Sequence, residues 1–105
     1  MASAKRKLGL MLSTEPAHPN LETALGLSRA ALDGGDDVYL YLIDDAVAAV
    51  EDDRLLALTD RGLKLFVCAY GCQKRRRPLS ERATNCGLVV LTDVINGTDR
   101  FIALN

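Results

Sequence analysis

Leu8-Gly9-Leu10-Met11-Leu12 is a short, unbroken apolar run, the pattern of a strand buried on both faces. The polar stretch from Ser13 to Asn20 contains Pro16 and Pro19 and reads as a loop. The period then changes. Leu21, Ala24, Leu25, Ser28, Ala31 and Leu32 fall at helical spacing, with Asn20 as the expected N-cap and Gly34-Gly35 as the stop. Val38-Tyr39-Leu40-Tyr41-Leu42-Ile43 is a second β-rich run. Tyr39 and Tyr41 share one of its faces, either as core packed against a helix or as an interface between copies. Asp44 or Asp45 is expected to cap a short helix through Val50, and a second helical piece follows from Arg54 to Arg61. Gly62 ends that piece, and Leu63–Val67 is the third strand.

In the last third, Leu88-Val89-Val90-Leu91 has the composition of a strand, but Leu88, Leu91, Val94 and Ile95 recur at helical spacing and Asn96-Gly97 supplies a stop. The spacing predicts a helix over Leu88–Asn96, preceded by a short strand at Ala83–Cys86 and followed by a closing strand at Arg100–Leu104. Strands alternating with helices define an α/β fold. The expectation is a single three-layer α/β/α sandwich with a mainly parallel sheet of about five strands joined by right-handed crossovers.

A length of 105 residues allows one domain with one core and is too short for two. Thirteen basic residues against fourteen acidic ones leave a net charge of −1, which argues against a general nucleic-acid binder. The charge is nevertheless segregated: acids dominate from Asp33 to Asp53, and bases cluster at Lys5–Lys7 and Lys74–Arg77. No apolar stretch is long enough to span a membrane. The run Leu8–Leu12 is too short for a secretory signal, so a cytoplasmic location is expected. There three cysteines would remain thiols rather than build a disulfide framework.

Chemistry concentrates in Leu65-Phe66-Val67-Cys68-Ala69-Tyr70-Gly71-Cys72-Gln73-Lys74-Arg75-Arg76-Arg77. Cys68 ends the third strand, and open α/β sheets place their ligand sites at carboxyl strand ends. A helix starting at Ala69–Gly71, together with Lys74 and Arg75, would favour its thiolate, the reactive form of sulfur. The competing reading is a small buried hydrophobe. Cys72, four residues on, could resolve an oxidised Cys68 or simply pack, and Cys86 reads as buried. The run Lys74–Arg77 serves as a solvated loop, a thiolate-supporting field or a docking patch. His18 could face Cys68 as a base or be a plain surface residue, and Thr14 and Glu15 share its loop. Asp44-Asp45 suits helix capping better than a metal pocket. No zinc-ligand spacing, GxGxxG or Walker sequence is present, so no cofactor is implied.

The order of these pieces resembles the DsrE/DsrF-like family of small sulfur-relay proteins. The resemblance runs from the first strand and its Pro-containing loop, through the Ala/Leu-rich helix ending in Gly-Gly and the strand ending Ile43-Asp44-Asp45-Ala46-Val47. It continues over Gly62-Leu63-Lys64-Leu65-Phe66-Val67-Cys68 and Gly87-Leu88-Val89-Val90-Leu91 to Asp99-Arg100-Phe101-Ile102. Where the family commonly has Arg-Gly, this chain reads Arg75-Arg76-Arg77-Pro78. The resemblance implies a sulfur carrier or sulfurtransferase subunit that takes sulfane sulfur on Cys68 as a persulfide, with Cys72 beside it. It also implies sulfur-donor and sulfur-acceptor protein partners and assembly as a homotrimer or hexamer. Two alternatives are a non-catalytic structural subunit and a thiol redox sensor using Cys68 and Cys72.

Overall fold

Five strands form one sheet in a computed structural model that describes residues 5–76, 81 and 83–105. They are β1 (Lys7–Leu12), β2 (Asp37–Leu42), β3 (Lys64–Cys68), β4 (Thr84–Cys86) and β5 (Arg100–Leu104), arranged β4-β3-β2-β1-β5. Every pairing is parallel. Four α-helices connect them: α1 (Asn20–Asp33), α2 (Asp53–Asp60), α3 (Ala69–Lys74) and α4 (Leu88–Gly97). A 3-10 helix at Asp44–Glu51 precedes α2. The α/β fold expected from the sequence is the fold observed.

Strand register explains the apolar runs. Leu10 pairs with Leu40, Leu12 with Leu42 and Leu42 with Val67, so these side chains form continuous rows on one face. All five are fully buried. Helix α1 packs over β1 and β2 on that face, and the 3-10 helix over β2 and β3.

The topology separates the helices into two layers. The chain steps from β1 through β4 in one direction and then returns across the sheet to β5. Right-handed crossovers put the first three connections on one face and the returning α4 on the other. Helix α4 accordingly rests on β1 and β5. Gly9 permits this, because a Cβ there would lie 2.9 Å from Thr98 Oγ1 and 3.0 Å from the Phe101 ring.

Several local expectations are corrected. Asn20 does not cap α1 but begins it. Pro19 holds the N-cap position with φ −56°, and the Asn20 N–H is taken by His18 Nδ1 at 3.0 Å. Neither Asp44 nor Asp45 caps the next segment. Asp44 instead adopts φ +54°, a left-handed turn that acidic residues tolerate better than branched ones. That segment winds as a 3-10 helix because Ala46/Ala49 and Val47/Val50, all buried, stand three residues apart, the spacing that eclipses in this geometry. The capping acid is Asp52, whose carboxylate accepts the Arg54 N–H at 2.9 Å ahead of α2.

Candidate functional site

Cys68 lies at the carboxyl end of β3, where the strand turns directly into α3. Its backbone is still extended, φ −68° and ψ 111°, and this aims Sγ back at the first turn, where it accepts the Gly71 N–H at 3.4 Å. An N–H directed at sulfur supports negative charge there. Gly71 fits because the turn is close-packed: a Cβ on it would lie 3.1 Å from Val47. Cys68 is 3% exposed, so its sulfur sits just beneath the surface.

At the carboxyl end of β3, Cys68 stands in register with Cys86, the last residue of the neighbouring edge strand β4.

Tyr41, fully buried on β2, completes the cluster from below. Its hydroxyl donates to the Gly87 carbonyl at 2.9 Å, tying β2 to the turn between β4 and α4. Burial drives its acidity far below that of a free phenol, and the neighbouring Cys86 and Cys68 sulfurs add to the effect. Burial likewise pushes the Cys86 thiol up, partly offset by its hydrogen bond with Tyr41; Cys68 pushes it up further. The Cys86 thiol also reaches the Val67 carbonyl at 3.8 Å.

Cys72, on the helix that Cys68 caps, is fully buried in the same hydrophobic core cluster as Cys68. Lys74 is exposed at the far end of α3, a helix of six residues and so about 9 Å from the Cys68 end. Arg75 is held by a carboxylate: its Nε donates to Asp45 Oδ1 at 3.0 Å, beside a cleft lined by Glu15 and Pro16. Arg77 and Pro78 lie outside the described residues. His18 is exposed and its Nδ1 serves the start of α1. Among the described residues no group of His, Cys, Asp or Glu is set to hold a metal ion.

Cys86 and Tyr41 are the site residues that sequence reasoning missed. The signal for both was available. Once the two strands are taken as parallel neighbours ending in cysteine, aligning their ends brings Cys68 and Cys86 together, and the Tyr41 position follows from the period of two.

The five-stranded all-parallel sheet with its helices is a DsrE-like α/β fold. The ychN protein from E. coli superposes with a TM-score of 0.82, covering 96% of this chain and 100% of its own, at 19% identity. A conserved protein of unknown function from Bacteroides thetaiotaomicron superposes with a TM-score of 0.76, covering 93% of this chain and 94% of its own, at 13% identity. At such identities the likeness establishes the fold alone. No protein-family model and no curated protein sequence matches the chain. Among the described residues no helix is long and apolar enough to cross a membrane.

Proposed function

We propose that the chain is a sulfur carrier that receives sulfane sulfur on Cys68 and passes it to a partner. The observation that carries this reading is the placement of Cys68 at the β3 carboxyl end, its Sγ accepting the Gly71 N–H at 3.4 Å, in register with Cys86 of β4. In the transfer, the Cys68 thiolate attacks the outer sulfur of a donor persulfide. The donor's inner sulfur leaves as a thiolate, and the outer sulfur stays on Cys68. The Gly71 N–H then supports the charge of the resulting persulfide anion. An acceptor thiolate attacks that terminal sulfur in turn and restores Cys68. The DsrE-like fold supports the reading, as does the sequence resemblance. The partners that go with it are a sulfur-donor and a sulfur-acceptor protein, and further copies of the chain in a trimer or hexamer.

The 3% exposure of Cys68 favours a second reading, a structural subunit whose thiols are simply buried. Intact mass after incubation with a sulfane-sulfur donor separates the two. The carrier gains one reducible sulfur in wild type and in Cys72→Ser, and none in Cys68→Ser. A wild-type protein that stays folded and keeps its mass unchanged, neither gaining sulfur nor losing two hydrogens to a disulfide, is the structural subunit.

A further inference from the structure

Cys68 and Cys86 are partners on neighbouring parallel strands, so their side chains leave the same face of the sheet. Neighbouring strands run about 4.8 Å apart, within the Cα separation of about 4.4–6.8 Å that a disulfide spans. The two sulfurs also act on each other and on the Tyr41 hydroxyl, which reaches over from β2 to the Gly87 carbonyl just after β4. Cys86 is half-buried at the end of a three-residue edge strand, where a small adjustment of backbone is least restrained.

We propose that Cys86 is the resolving thiol of Cys68 and that the two form a reversible disulfide between β3 and β4. The pairing is set by strand register and does not involve Cys72. Where Cys68 carries a persulfide, which rests on the carrier reading above, the Cys86 thiolate attacks the inner Cys68 sulfur. The Cys68–Cys86 bond forms, the outer sulfur leaves as hydrosulfide, and the Cys86 proton passes to solvent. The same bond forms with a small disulfide as oxidant. Cys68 displaces one thiolate to give a mixed disulfide, and Cys86 displaces the second. Two protein thiols are then oxidised and one disulfide is reduced to two thiols.

The full chain, treated with glutathione disulfide, alkylated and digested with trypsin, tests the pair without any sulfur donor. Cys68 and Cys72 share the peptide Leu65–Lys74, whereas Cys86 lies in Ala83–Arg100. The expected product in wild type and in Cys72→Ser is these two peptides joined, with the protein lighter by two hydrogens. Cys86→Ser and Cys86→Ala should stop at glutathione on Cys68. A bond closed within Leu65–Lys74, or joined peptides lost in Cys72→Ser, overturns the proposal. So does a wild type that stops at the mixed disulfide. In a parallel arm with inorganic polysulfide, wild type should release hydrosulfide as its adduct disappears, while Cys86→Ser keeps the adduct. An adduct that decays equally fast in both overturns the proposal too. If no adduct forms in either protein while glutathione disulfide still joins the two peptides, the thiol pair stands and the carrier reading falls.

Discussion

On one face of the sheet Leu10, Leu12, Leu40, Leu42 and Val67 are fully buried in aliphatic rows under α1 and the 3-10 helix. On the other face the corresponding positions are Gly9, Met11, Tyr39, Tyr41, Phe66, Cys68 and Cys86, and among the described residues a single helix returns across it. Tyr39 stacks on Phe66 with ring centres 6.5 Å apart, Lys64 lies over the Tyr39 ring at 4.9 Å, and all three remain partly open to solvent. Because adjacent residues of one strand point to opposite faces, Val67 joins the aliphatic rows while its neighbour Cys68, itself buried, sets its sulfur on the Tyr41 side. The aliphatic rows and the sulfur-bearing positions are thus divided by the pleat of the sheet. Substitutions one residue apart should therefore fail in different ways.

The sharpest way to break that division is Leu40→Ala. Leu40 is fully buried in the middle strand of the sheet, between Leu10 and Leu65, so truncation should leave a cavity and cost about 3 kcal/mol. Chemical denaturation should report this as a lower midpoint with an unchanged slope, while the sulfur adduct per folded molecule stays at the wild-type level. Phe66→Leu, on the half-open face, should cost about 1 kcal/mol or less. Equal losses from the two variants would show that the faces are not divided as the burial indicates.

Gly9→Ala tests how tightly the single helix closes the second face. The added methyl would lie 2.9 Å from Thr98 Oγ1 and 3.0 Å from the Phe101 ring, closer than van der Waals contact, and the residues at the end of α4 must shift to admit it. The expected cost is about 2 kcal/mol, with part of it recovered in Gly9→Ala/Thr98→Ala, since the two positions touch and should couple. A neutral Gly9→Ala would mean that α4 is free to ride up on the sheet.

Much of this division was legible in the sequence. The unbroken run Leu8–Leu12 and the helical spacing of Leu21, Ala24, Leu25 and Ser28 gave β1 and the buried stripe of α1 directly. The period of two in Val38–Ile43 put Tyr39 and Tyr41 on one face, as register requires. Local periodicity could not give what depends on neighbours distant in sequence. The pairing of Cys68 with Cys86 spans eighteen positions and needs strand order as well as strand existence. The fate of Arg75 was hidden for the same reason: a cation near a thiol in sequence is bound to a carboxylate thirty residues away in the fold. Helix ends failed differently. An Asn before an apolar stripe is a good N-cap on composition, but Pro19 and the His18 ring already fill that role. The apolar period of Leu88–Asn96 correctly gave a helix yet overstated its burial, since Leu88 and Ile95 are 57% and 45% exposed.

Tyr41 sits where the two faces meet in function, and its replacement gives the smallest but most diagnostic effect. Tyr41→Phe keeps the ring in the core and removes only the hydrogen bond to Gly87, so near neutral pH it should cost about 1 kcal/mol. Alkaline pH should then reverse the order of the two proteins. In the unfolded chain the phenol ionises near pH 10, whereas burial in the fold makes it hold its proton to higher pH. The stabilisation is therefore fully present below about pH 10 and is lost as pH rises beyond it, because the unfolded state alone releases the proton. Wild type should lose stability over that range faster than Tyr41→Phe, and the gap in melting temperature should close and then invert. Parallel pH profiles for the two proteins would mean that the hydroxyl is already hydrated in the fold. In that case Tyr41 would not bridge β2 to the turn that carries Cys86.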